Sequence, residues 1–129
     1  MFRLHLEREI AVSHRLEHHN GKCCKLHGHN LNITVDIYVE KLKKEGSSEG
    51  MVMDFGDVKR IIDQYDHTHL NNSMEKWGFD YRMQPTAERL AERLSMEIFN
   101  ADPSLPIRKI VVRVEEAKGQ YAEYTLGKE

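Results

Sequence analysis

A strict two-residue alternation starts at His27 and runs to Val39. His27, His29, Leu31, Ile33, Val35, Ile37 and Val39 fall on one parity; Gly28, Asn30, Asn32, Thr34, Asp36, Tyr38 and Glu40 fall on the other. Successive side chains of a strand point to opposite faces, so this run is a strand with one apolar and one polar face. Both histidines stand at the leading end of the apolar face. Two ligands two residues apart can then reach one metal ion from the mouth of a core. The run is preceded by Cys23-Cys24-Lys25-Leu26, which places two thiols beside the two imidazoles.

Residues 2–14 repeat the pattern. Phe2, Leu4, Leu6, Ile10, Val12 and His14 share a parity that only Arg8 interrupts, and His14 again ends an apolar face. The segment from Arg15 to Lys25 is polar and contains Asn20-Gly21, a turn signal. Antiparallel pairing across it brings the end of the first strand beside the start of the second. His14 is therefore expected to meet His27 and His29. A catalytic zinc ion typically has three protein ligands and an open fourth position, and neutral imidazole suits it. The cysteines admit two readings: a thiol of lowered pKa near the ion, or ligands that close a structural site. Adjacent cysteines seldom both reach one tetrahedral ion, which argues mildly against the second.

Farther along, residues 41–50 are charged and rich in Gly and Ser, as an exposed hairpin loop would be, and Met51–Met53 read as a short return strand. Asp54 is placed to cap a helix whose stripe is Val58, Ile61, Ile62 and Tyr65. That helix is expected to end in Asp66-His67. There a carboxylate can orient an imidazole for proton transfer, although a helix-terminal histidine favoured by the dipole fits equally well. Residues 73–84 read as a connector. A second helix follows Pro85, with Thr86 as its cap, Glu88 in its first turn and Ala87, Leu90, Ala91, Leu94 and Ile98 as its stripe. Ile107 to Glu116 and Tyr121 to Leu126 are the last strands. Parity puts Glu116 on the apolar face with Val112 and Val114. A strand-end glutamate usually escapes to solvent; kept inside, it would suit a partner offering paired N–H donors. The order ββααββ, with a short extra strand before the first helix, gives an α+β domain spanning residues 1–129: an antiparallel four-stranded sheet with two helices on one face.

Length and charge narrow the function classes. The 129 residues suit one core, and a net charge of -2 makes no electrostatic case for nucleic acid or an anionic membrane. The absence of a bilayer-length apolar run or a leader pattern, with no disulfide framework, points to a cytoplasmic protein.

Six pieces of the chain, in order, resemble the 6-pyruvoyltetrahydropterin synthase / 6-carboxytetrahydropterin synthase family. They are Ser13-His14-Arg15-Leu16, Cys23-x-x-x-His27-Gly28-His29, Met53-Asp54-Phe55, Asp66-His67-x-x-Leu70-Asn71, Pro85-Thr86-x-Glu88 and Val114-x-Glu116. The resemblance implies a tunnelling fold, in which trimers close a β-barrel and stack in pairs as a homohexamer with active sites between subunits. It implies zinc on His14, His27 and His29, catalytic Cys23 with Asp66 and His67, and pterin binding by Glu116, Thr86 and Glu88. The implied substrate is 7,8-dihydroneopterin triphosphate. The implied product is 6-carboxytetrahydropterin, released with acetaldehyde and triphosphate and leading to 7-deazaguanines such as queuosine or archaeosine. The sibling activity that makes 6-pyruvoyltetrahydropterin is the alternative; a non-catalytic zinc-binding module with cysteine ligands is a third reading. The Cys23-Cys24 tandem, the 41–50 segment and Ala87 depart from the pattern. His18, His19 and His69 have no role in it.

Overall fold

The first two strands pair in register along their whole length, from Phe2 opposite Val39 to His14 opposite His27. The structure is a computed structural model and describes residues 1–16, 25–77 and 84–127. In chain order its elements are β1 (Phe2–His14), β2 (His27–Val39), α1 (Phe55–Asp63), β3 (Thr68–His69), α2 (Leu70–Lys76), α3 (Ala87–Ala101), β4 (Ile107–Ala117) and β5 (Gln120–Gly127). The sheet order is β3-β1-β2-β4-β5.

Register explains the core. Leu4, Ile37 and Ile110 stand in one row and Leu6, Val35 and Val112 in the next, each from a different strand. Ile33, Val35, Ile37, Ile110, Val112 and Val114 have no solvent exposure. The helices complete the same cluster with Val58 and Ile62 of α1 and Leu90, Ala91, Leu94 and Ile98 of α3. Burying each such aliphatic side chain contributes about 1.5–3 kcal/mol. Both predicted caps form: Asp54 accepts from the Gly56 N–H at 2.7 Å and Thr86 accepts from the Arg89 N–H at 3.2 Å. No helix among the described residues is long and apolar enough to cross a membrane.

Four expectations need correction. The sheet is five-stranded and mixed rather than four-stranded and antiparallel, because Thr68–His69 adds a parallel pairing to Val12–Ser13. A two-residue strand carries no periodicity to detect. The stretch read as the start of a connector holds a third helix, α2, whose Leu70 and Met74 are buried one turn apart. The Asn71-Asn72-Ser73 run between them masked that spacing. Helix α1 stops at Asp63, so Asp66 and His67 lie in the turn leading to β3 rather than at a helix end. Met51–Met53 form no strand. Lys43 and Met51 close the loop instead (Lys43 N–H to Met51 O, 3.1 Å), while Val52 and Met53 tuck into the core.

Arg8, the interruption in β1, is also explained. Its guanidinium makes two parallel bonds to the Asp63 carboxylate, Nε to Oδ1 at 2.8 Å and Nη2 to Oδ2 at 2.7 Å, tying β1 to the end of α1. Paired bonds of this kind are geometrically specific.

Candidate metal centre and active site

Antiparallel register brings the ends of β1 and β2 together, and three histidines meet there. His14 is opposite His27, and Val12 is opposite His29. Ring centroids are separated by 4.6 Å (His14–His27), 4.9 Å (His14–His29) and 4.6 Å (His27–His29), with each pair edge to face. One ring nitrogen from each lies within 4.8 Å of the others, so His14, His27 and His29 form a cluster that could hold a metal ion.

The protonation pattern fits that use. His14 Nδ1 lies 2.8 Å from Pro85 O, and His27 Nδ1 lies 2.7 Å from Lys25 O. A carbonyl only accepts, so both Nδ1 atoms carry the proton and both Nε2 atoms present bare lone pairs. Those two Nε2 atoms face each other at 3.0 Å. His29 Nε2 is buried with no hydrogen-bond partner among the described residues. Two opposed lone pairs and an orphaned buried nitrogen are an unfavourable arrangement without a cation. With zinc–nitrogen bonds of about 2.0–2.1 Å, two ligands on a tetrahedral ion stand roughly 3.3 Å apart, close to the observed spacing. The donor set therefore fits zinc, and the carbonyls of Pro85 and Lys25 supply the outer bonds that orient metal-binding histidines. Burial, above all, holds His14 below its ordinary pKa, with the neighbouring imidazoles adding to this against the Pro85 carbonyl and Glu116. It is thus kept neutral, as a ligand must be.

The remaining predicted residues are placed as follows. Glu116 sits where the β4 ladder shifts register, between Glu115 and Ala117, and is half-buried. Such bulges re-aim side chains. Its charge is felt at His14, so it belongs to the same end of the sheet. Thr86 caps α3 beside Pro85, whose carbonyl holds His14, so the start of α3 is joined directly to the triad. Thr86 and exposed Glu88 line an open cleft of about 340 Å³ with Arg89, Glu92 and Tyr124, and Glu116 does not line it. Asp66 accepts from the Ala11 N–H at 2.8 Å and lies 3.1 Å from His67 Nδ1. The Ala11 amide, more than any other group, lowers the Asp66 pKa. Cys23 and Cys24 lie outside the described residues, as do His18 and His19.

Groups given no role by the sequence also shape the site, Asn71 of the Asp66-His67-x-x-Leu70-Asn71 piece among them. Asn71 clamps the backbone that leaves His14, accepting from the Arg15 N–H and donating to Arg15 O, both at 2.9 Å. The Pro85 and Lys25 carbonyls act as backbone groups, which residue type does not reveal. His69 bonds Ser13 across the β1–β3 pair, with Nδ1 and Oγ 3.0 Å apart.

Comparison with known proteins bears on the family and the fold. The family model for 6-pyruvoyl tetrahydropterin synthase matches residues 3–127. A Synechocystis protein named 6-carboxy-5,6,7,8-tetrahydropterin synthase is 38% identical over 96 residues, 70% of this chain and 70% of that one. An Archaeoglobus fulgidus protein, putatively of the same name, is 35% identical over 122 residues, 92% of this chain and 90% of its own. The solved structure of Caenorhabditis elegans 6-pyruvoyl tetrahydropterin synthase superposes with a TM-score of 0.64 over 100% of this chain and 98% of that one. At 23% identity, that likeness bears on the fold. With almost every described residue inside the match, the chain belongs to the 6-pyruvoyl tetrahydropterin synthase family.

Proposed function

We propose that this protein is a zinc-dependent lyase of the 6-carboxytetrahydropterin synthase type. It would act on 7,8-dihydroneopterin triphosphate, release acetaldehyde and triphosphate, and serve 7-deazaguanine synthesis in the cytoplasm. The observation that carries the reading is the histidine triad, with its facing lone pairs and orphaned His29 Nε2. Zinc held by His14, His27 and His29 supplies Lewis acidity toward the hydroxyls of the substrate side chain. Cys23 exchanges protons with the side-chain carbons, and His67, oriented by Asp66, passes them on. Glu116 receives the paired N–H donors of the pterin edge. Support for that role comes from its position at a bulge beside the triad, where the carboxylate has no hydrogen-bond partner among those found in the described residues. Thr86 and Glu88 hold the ring from the start of α3.

The choice of the 6-carboxy product over the 6-pyruvoyl product is supported by the names of the relatives at 35–38% identity. We further propose that residues 1–129 act as one domain within a homohexamer. The outer edge of β1 is covered by β3 only at Val12 and Ser13, and β5 is the other edge of the sheet. Such open edges suit closure into a barrel by further copies. Incubation with dihydroneopterin triphosphate and product analysis test the reaction. Acetaldehyde together with the 6-carboxy pterin is expected. A 6-pyruvoyl product without acetaldehyde would assign the sibling activity, and no turnover of a zinc-loaded sample would remove both.

A further inference from the structure

His67 is the only non-glycine residue with a positive φ, at +59°, among the described residues. A histidine persists there only where its surroundings over-determine the backbone. They do so from two sides. On the sheet side, the His67 N–H donates to Ala11 O at 2.6 Å, and Asp66 accepts from the Ala11 N–H. On the helix side stands Tyr65, 3% exposed. Its hydroxyl donates to Glu97 of α3 and accepts from Trp77 Nε1–H at 3.1 Å. Glu97 also accepts from Arg93 Nε at 2.8 Å and from the Gln64 amide. The Tyr65 carbonyl accepts from both the N–H and the hydroxyl of Thr68. The turn is held at each end, with His67 at its apex.

The His67 side chain is 82% exposed. Packing therefore does not orient it; its direction comes from Asp66 and from the backbone that carries it. The Tyr65 ring meets Trp77 edge to face at 5.4 Å, a contact that phenylalanine would also make. The hydroxyl and its carboxylate add direction, which packing alone does not supply.

We propose that Tyr65, through Glu97 and Arg93, is a positioning residue for His67, holding the turn so that the imidazole points where a proton is exchanged. This rests on the proton-transfer role assigned to His67 above. The test uses the full chain loaded with zinc, as wild type, Tyr65→Phe and Glu97→Gln. Steady-state kinetics with dihydroneopterin triphosphate are combined with zinc content and with side-chain NMR of His67, which reports its χ1 rotamer and its tautomer. In Tyr65→Phe, kcat is expected to fall about tenfold, a fraction of a full acid–base contribution, while KM changes by less than about twofold and zinc is retained. The His67 rotamer is expected to become averaged in both variants. Glu97→Gln keeps the shape of the network and guards against a packing defect in the first variant. An unchanged His67 rotamer and tautomer in both variants would overturn the proposal, whatever happens to thermal stability. If the wild type does not turn the pterin over, the proposed reaction fails, and the His67 spectra still decide the positioning.

Discussion

Replacing His29 by leucine should separate metal binding from folding at the triad. His29 Nε2 is buried without a partner, and the His14 and His27 Nε2 lone pairs oppose each other at 3.0 Å. One unsatisfied buried nitrogen costs about 1–3 kcal/mol. Leucine at this position removes it and extends the apolar row of Val12 and Leu31. Metal-free His29→Leu should therefore be more stable than the metal-free wild type by about 1–3 kcal/mol. At roughly 4 °C per kcal/mol for a chain of this length, that raises Tm by about 4–12 °C. Zinc should reverse the order, because wild type has three ligands and the variant two. Thermal unfolding followed by circular dichroism, in chelator and again with stoichiometric zinc, measures all four states. The reasoning is refuted if metal-free wild type melts above the metal-free variant, or if zinc raises both melting points equally.

Three further outcomes are expected. Cys23→Ala should retain zinc, by elemental analysis, and lose at least about a hundredfold in kcat; Cys24→Ala should keep both, and the opposite pattern would move the catalytic thiol to Cys24. Glu116→Gln should raise KM at least about tenfold with zinc unchanged, since each bond to the charged carboxylate contributes about 1.5–3 kcal/mol. Acid titration of the metal-free protein bears on His14, whose folded pKa lies below its ordinary 6.5, chiefly through burial. The native state then binds fewer protons than the unfolded one, so the stability present above 6.5 is lost as pH falls through the histidine range. His14→Gln should flatten that limb of a urea midpoint plotted against pH.

The alternation of residues 2–14 and 27–39 gave two strands and their faces, and with antiparallel pairing the meeting of His14 with His27 and His29. Parity set the faces, and antiparallel pairing across residues 15–26, expected from the sequence and present in the structure, brings the three histidines together. The Thr86 cap and the stripe of α3 were legible for the same reason: each depends on spacing within one element. Parity likewise put Glu116 on the face of Val112 and Val114, but its nearness to the triad comes from the pairing of β2 with β4. What residue order could not reveal depends on contacts between distant segments. The β3 pairing is two residues long, α2 is hidden under a polar run, and His14 is oriented by a carbonyl 71 residues away. Asp66 and His67 show the division most clearly. Their identity marked them as candidates for proton transfer, but the left-handed turn that carries His67 is bounded by Ala11 on one side and by Tyr65, bonded to Glu97, on the other. Local patterns determine which face a side chain takes; only tertiary contacts decide the direction of a side chain held by a loop, because a loop has no periodic backbone to set it.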